Sequence, residues 1–289
     1  MVRIASLFVA AGLWAVAASP AAAWGDVGHK VTALLAYRHL TPVAKAKVDA
    51  LLAADTDTLT APDFASRATW ADKYRAQHRE TAQWHFADIE IDQPGLDAAC
   101  YGYPKLAAGQ VASAGQPKDC SVDKIGEFEA ELSSRDVSAD EQILALKFLV
   151  HFLGDLHQPL HSSDHQDEGG NCIALEPTVG GSKNLHGYWD TGVMKALAET
   201  PEAIADKLDA ETTAGQRASW SKGTPKQWAM QAFALAQKDA YAVPSRPTCA
   251  AKGSVSLSDA YQAQAQKDVD LQLRRAGVRI AAALNQALR

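Results

Sequence analysis

The segment "SADEQILALKFLVHFLGDLHQPLH", residues 138–161, narrows the possible folds more than any other stretch of the chain. Ser138 and Glu141 have the spacing of a capping box, the signature of a helix start. The run that follows is dominated by apolar residues, as a core helix requires, and Pro159 ends it by removing a backbone donor. Yet the same helix carries His151 and Asp155, four residues apart and so on one face. Two readings suit that pair. It is a hydrogen-bonded His–Asp pair buried in a core, or it is half of a metal site, since ligand-type side chains at i and i+4 are a common way to hold zinc.

Helical patterning recurs around this segment. Residues 31–40 have apolar residues at helical spacing, and Thr41-Pro42 supplies an N-cap and a proline at the first helical position for a helix to about residue 53. Further helices are expected over 68–77, 186–199, 225–241 and 258–288. Residues 92–120 and 162–185 are irregular and Gly-containing, and no run alternates in the manner of a strand. The expected architecture is all-α: a single, mainly helical domain with two long loops gathered at one face.

The first 23 residues have the parts of a secretory signal. Arg3 provides the charged start, an apolar run follows over 4–18, and Ala21-Ala22-Ala23 fits an A-x-A cleavage site. That run is short of the roughly 20 apolar residues needed to span a bilayer, and no second run of that length exists. A secreted or periplasmic protein with no membrane anchor is expected, cut after Ala23, with residues 24–289 as one catalytic domain and a monomer in solution. Cys100, Cys120, Cys172 and Cys249 then suggest two disulfides. Three pairings are open. Cys100–Cys120 with Cys172–Cys249 is favoured because the first pair brackets one Gly/Pro-containing loop.

Charge excludes one class of function. The chain has 28 basic and 34 acidic residues, a formal net charge of −6. This is not the basic stripe of a protein that grips duplex DNA by its phosphates. Any attraction for a polyanion has to come from something the residue count omits, and bound metal is such a thing.

Other segments supply matching ligand types. His161 follows Pro159, and "NLHGYWD" repeats the HxxxD spacing with His186 and Asp190. "TWADKYR" places Asp72 and Arg75 three apart, and "QWHFAD" places His85 beside Trp84 and Phe86. The cleavage site adds another. Cutting before Trp24 frees an α-amino group of pKa near 8, which chelates a cation together with its own carbonyl oxygen, and His29 could close on the same ion. A simpler reading has Trp24 packing the N-terminus into the core, and the two are compatible. His39, His78, His157 and His165 are left as structural or surface residues.

Taken together, "WGDVGH", "WADKYR", "WHFADIE", "FLVHFLGDLHQPLH", "GGN" and "NLHGYWD" resemble the zinc-dependent single-strand-specific nucleases of the S-one/P-one type, related to zinc phospholipase C. The matches run in order from Trp24 to Asp190. The resemblance implies an all-α fold around a trinuclear zinc site. Carried over by position, Asp72, His85, His151 and Asp155 would bind one zinc, and His161, His186 and Asp190 a second. Trp24 and His29 would bind the third, with Asp155 bridging it to the first. Asp72, Arg75 and Asn171 are the implied catalytic residues, Arg75 stabilising the transition state with Asn171 as its polar companion. Phe86 would stack on a base and Asp88 hydrogen-bond to it. Three divalent ions would offset the formal charge of −6. The implied reaction is hydrolysis of single-stranded DNA and RNA to 5′-phosphate products, with 3′-nucleotides as further substrates. Two rivals are a zinc phospholipase C and a catalytically silent zinc-binding protein. The short Trp24–His29 spacing and an HxxxD final pair speak against the first, and Arg75 and Asn171, which holding metal does not need, speak against the second.

Overall fold

Hydroxyl caps fix the starts of six of the helices. The structure, a computed structural model, describes residues 24–197 and 199–289, and the signal sequence expected over 1–23 lies outside the described residues. The helices are α1 (Asp26–Arg38), α2 (Pro42–Ala54), α3 (Phe64–Arg67), α4 (Trp70–Arg75), α5 (Leu96–Ala99), α6 (Ser121–Ser133) and α7 (Ala139–Asp155). They continue with α8 (Leu185–Gly187), α9 (Val193–Leu197), α10 (Pro201–Ala210), α11 (Ala214–Trp220), α12 (Pro225–Leu235) and α13 (Asp259–Ala287). Thr41, Ser138, Thr200, Thr224 and Ser258 each accept a hydrogen bond from the amide three residues on. Pro42, Pro201 and Pro225 occupy first helical positions, where a missing N–H costs nothing. Helix α6 is not among the expected helices, and its cap explains why: Cys120 Sγ, not a hydroxyl, accepts from the Asp123 amide. Helices α10 and α11 were likewise outside the sequence reading.

The absence of strands is corrected. Within the stretch expected to be irregular, β1 (Ile173–Val179) pairs antiparallel with β2 (Ser182–Asn184) and parallel with β3 (Gly253–Val255), in the order β2-β1-β3. Two of these strands are three residues long, too short to show a period of two. The parallel pair also joins segments far apart in sequence, with Ile173 opposite Gly253. Beside it the Cys172–Cys249 disulfide closes, and Cys100–Cys120 pins the other long loop, so the favoured pairing is the one formed.

Two hydrophobic clusters make the core. The first surrounds α7, where Leu146, Phe148, Phe152 and Leu153 pack with Trp70, Trp84 and Phe128. Trp24, Leu160, Ile173, Leu185, Trp189 and Tyr241 belong to the second. Helices α1 and α13 feed both: Ala33, Ala36, Ile280 and Leu284 lie in the first, and Val31, Leu35, Val269 and Leu273 in the second. They cross closely enough that a Cβ at Gly277 would sit 2.4 Å from the Cβ of Leu35. The C-terminal end of α7 and the turn after it fall where the two clusters meet, and that is where the polar residues gather.

Candidate metal centre

Asp155, the last residue of α7, is fully buried and forms the hub of the site. Its Oδ1 lies 3.2 Å from His29 Nε2 and 3.4 Å from His161 Nδ1. Its Oδ2 lies 2.9 Å from His85 Nδ1 and 3.1 Å from His151 Nε2. Asp72 on α4 reaches the same space, with Oδ1 3.7 Å from His151 Nε2 and 3.8 Å from His85 Nδ1. A second group adjoins the first, with His161 Nε2 3.4 Å from Asp190 Oδ1 and His186 Nε2 3.2 Å from Asp190 Oδ2. Asp72, His85 and His151 thus form one group of converging donors, His29, His151 and Asp155 another, and His161, His186 and Asp190 a third.

The backbone explains how distant segments meet. Beyond α7 the chain turns, and Gln158 accepts from the Leu160 amide (2.6 Å) while donating to Asp190 Oδ1 (2.7 Å). His161 ends the 3-10 turn Pro159–His161. The segment after His85 runs alongside it: Ala87 donates its amide to the His161 carbonyl, and Asp164 donates to that of Ile89. This ladder brings His85, at the end of the 3-10 turn Arg79–His85, against His161. His186 sits on α8 and Asp190 in the following π turn, Tyr188–Gly192. Trp24 is fully buried, its indole donates to the Gly154 carbonyl at 2.9 Å, and the Gly25 amide donates to the Asp190 carbonyl at 3.0 Å. His29 packs so tightly on α7 that a Cβ at Gly154 would lie 2.8 Å from its Nδ1.

Several rings are oriented by partners outside the cluster. His151 Nδ1 donates to the Ala68 carbonyl (2.7 Å) and His186 Nδ1 to that of Gly169 (2.8 Å), leaving each Nε2 turned inward as an acceptor. Burial works against the Asp155 and Asp190 carboxylates, but the surrounding histidines hold Asp155 well below the usual range and Asp190 down at about 2. Burial likewise lowers His161, and Asp155 and Asp190 outweigh it, carrying the ring up to about 9. His85 is the opposite case, pushed down to about 3 by burial and then by Arg75. The field of the site therefore favours positive charge between the carboxylates.

That positive charge has a natural form. His29 Nε2, both oxygens of Asp72, Asp155 Oδ1, both ring nitrogens of His161 and His186 Nε2 are buried without a hydrogen-bond partner among the described residues. Leaving one such group unsatisfied costs about 1–3 kcal/mol, and here seven atoms do so around one space. Imidazole nitrogens and carboxylate oxygens in this mixture are ligands for zinc. The donor set fits divalent cations.

A cavity of about 420 Å³ opens beside the cluster, lined among others by Arg75, Phe86, Asp88, Asn171 and His186. Arg75 is buried, with Nη2 3.1 Å from Asp72 Oδ1 and its guanidinium 6.0 Å from the Phe86 ring centre. Phe86 stands 4.8 Å from the His161 ring. Burial pushes the Asp88 carboxyl up to about 6, against the hydrogen bond it accepts from Gln83 at 2.6 Å. Asn171 donates to the Glu168 carbonyl and accepts from Asn184. The ligand and substrate candidates of the sequence reading thus come together in one place, Trp24 through its indole and backbone neighbours. The remaining histidines stay apart: His39 pairs with Asp209, His78 with Glu80, His165 with Asp92, and His157 braces the turn from behind. Sequence reasoning missed Arg79, Gln83, Asp164 and Glu168 on the cavity wall, and Gln158 on Asp190. The spacing of Arg79 and Gln83 to Phe86 was a usable signal. Asp164 and Glu168 carried none.

The model of the S1/P1 nuclease family matches residues 24–289. The chain belongs to the S1/P1 nuclease family. It is 28% identical to nuclease P1 of Penicillium citrinum over 282 residues, covering 91% of this chain and 97% of that protein. With nuclease S1 of Aspergillus oryzae it shares 27% over 277 residues, 91% of each chain. Endonuclease 2 of Arabidopsis thaliana is 28% identical over 279 residues, covering 91% of this chain and 90% of its own length. The family resemblance read from the motifs is borne out over the C-terminal third as well, where only a helical pattern had supported it. As an S1/P1 nuclease the chain is a hydrolase of phosphodiester bonds acting on nucleic acid, and its His/Asp groups are those of a metal-dependent member. Among the described residues no helix is long and apolar enough to cross a membrane.

Proposed function

We propose that this chain is an exported, monomeric endonuclease and 3′-nucleotidase that cuts single-stranded DNA and RNA at a centre of three zinc ions and leaves 5′-phosphate ends. The observation that carries this reading is the run of buried, unsatisfied donors from His29 through Asp155 to His186, opening onto a cavity with an aromatic ring and an arginine. Asp72, His85, His151 and Asp155 would hold the first ion, and His161, His186 and Asp190 the second. His29, Asp155 and the α-amino nitrogen and carbonyl oxygen of Trp24, freed by cleavage after Ala23, would hold the third. The family match beginning at Trp24 supports that cleavage.

Bound zinc supplies Lewis acidity and lowers the pKa of water, so that a nucleophile is available near neutral pH. The chain's own residues do the rest. Arg75, fixed by Asp72 at 3.1 Å, sets a permanent positive charge where the phosphate gathers negative charge. Asn171, its amide oriented by Glu168 and Asn184, adds a polar contact on the same wall. Phe86 offers a face on which a base can stack, and Asp88, held by Gln83, offers it a hydrogen bond. A base can use that face only after leaving its duplex, which costs a few kcal/mol.

The test measures hydrolysis of denatured DNA, duplex DNA of the same sequence, RNA and phosphatidylcholine, with and without a chelator. Single strands should be cut roughly a hundredfold faster than duplex or more, chelator should abolish the reaction, and the lipid should be inert. Phe86→Ala should weaken mononucleotide binding with zinc content intact. Equal rates on single and double strands, unaffected by Phe86→Ala, would refute the stacking platform, and turnover of the lipid would favour a phospholipase.

A further inference from the structure

The cavity beside the metal centre contains a cation for which the centre itself has no use. Arg75 is buried and pairs with Asp72. Arg79 lines the same cavity but is exposed, and its side chain has no hydrogen-bond or ion-pair partner among the described residues. It opens the 3-10 turn Arg79–His85. Residues 79, 82, 83 and 86 of this segment all face the cavity, so Arg79 and Phe86 stand at two ends of one wall. A 3-10 turn rises about 2 Å per residue, which separates their backbones by roughly 14 Å. Arg79 is thus placed beyond a nucleotide whose base lies on Phe86.

The surroundings make one exposed cation matter. Three carboxylates, Asp88, Asp164 and Glu168, share the cavity lining, and the chain carries a formal charge of −6. A polyanion approaching this acidic surface gains from each fixed positive charge along its path. A guanidinium also suits a phosphate diester through paired N–H donors.

We propose that Arg79 is a specificity-determining residue that binds the backbone phosphate of the nucleotide next to the one stacked on Phe86, and so favours a polynucleotide over a mononucleotide. The inference rests on the nuclease reading above.

The experiment compares wild type, Arg79→Ala and Arg79→Lys on a short oligodeoxyadenylate and on 3′-adenylate, at several salt concentrations. Arg79→Ala should raise the ratio of oligonucleotide KM to 3′-adenylate KM several-fold while kcat on the oligonucleotide holds. The slope of log KM against log salt for the oligonucleotide should shrink by roughly 0.7, the loss of one single-strand phosphate contact. Arg79→Lys, which keeps the charge, should recover most of that slope. An unchanged slope in Arg79→Ala, or equal losses on both substrates, would overturn the assignment. A wild-type protein inert on both would instead overturn the nuclease reading.

Discussion

At the scale of single residues, the proposed centre assigns metal binding at Asp155 and transition-state stabilisation at Arg75 to different side chains, with Asp72 in contact with Arg75. Asp155 faces four histidines at 2.9–3.4 Å and would serve two ions. Asp155→Asn should therefore lose zinc and lower the melting temperature, because metal binding adds directly to folding free energy. Arg75 touches Asp72 from the cavity side. Arg75→Ala should retain all bound zinc and the fold while kcat falls roughly 10²- to 10³-fold, the usual cost of removing a preorganised transition-state donor. Metal analysis and steady-state kinetics on the two variants check both statements, and a zinc-depleted Arg75→Ala with normal turnover per metal would reassign that arginine. The placement of these candidates was legible in sequence because side chains four residues apart in helical backbone share a face, as in His151–Asp155 on α7 and His186–Asp190 across α8 and the π turn. Gln158 was not legible: its value lies in reaching Asp190, and no local pattern encodes a contact 32 residues away.

At the scale of elements, the segment leading into α1 is as constrained as α7. Trp24 is sealed against α7 by its indole bond to Gly154, Gly25 is tied to the Asp190 carbonyl, and His29 follows one turn into α1. On the proposed ligand set, a single residue added before Trp24 removes the amino donor while leaving every side chain in place. Such a protein should bind about one zinc fewer per chain and lose most of its activity. Metal counting on mature and extended forms decides the matter, and full zinc content in the extended form would remove the N-terminus from the centre. Helices α2 and α7 were readable from the Thr41-Pro42 and Ser138 caps, whereas α6 was not, and α10 was missed despite its own Thr-Pro cap. The small sheet was not readable either, because three-residue strands gain their identity from the neighbour they pair with. Only the fold supplies that neighbour.

For the whole molecule, buried acids away from the centre set a pH dependence of stability. Burial pushes the Asp119 carboxyl up to about 7, although it accepts the Cys120 amide at 2.6 Å. An aspartate in an unfolded chain titrates near 3.9. Between those values the folded protein holds a proton that the unfolded chain has released, so stability falls as pH rises across this window, by at most about 1.4 kcal/mol per pH unit. Asp119→Asn keeps the amide contact and removes the titration. The stability difference between Asp119→Asn and wild type should widen in the variant's favour from pH 4 to 7 and then level off, as read from denaturant melts. A constant difference over that range would place the Asp119 carboxyl at an ordinary value.

The crossing of α1 and α13 at Leu35 and Gly277 also sets a timetable. Both hydrophobic clusters draw on α1 and on α13, so neither is complete until α13 has been made. Half-made chains have apolar faces and the candidate ligand histidines but no completed pocket to order them. Assembly waits for α13, and on the proposed export the chain can stay unfolded, and therefore threadable, until that helix is made.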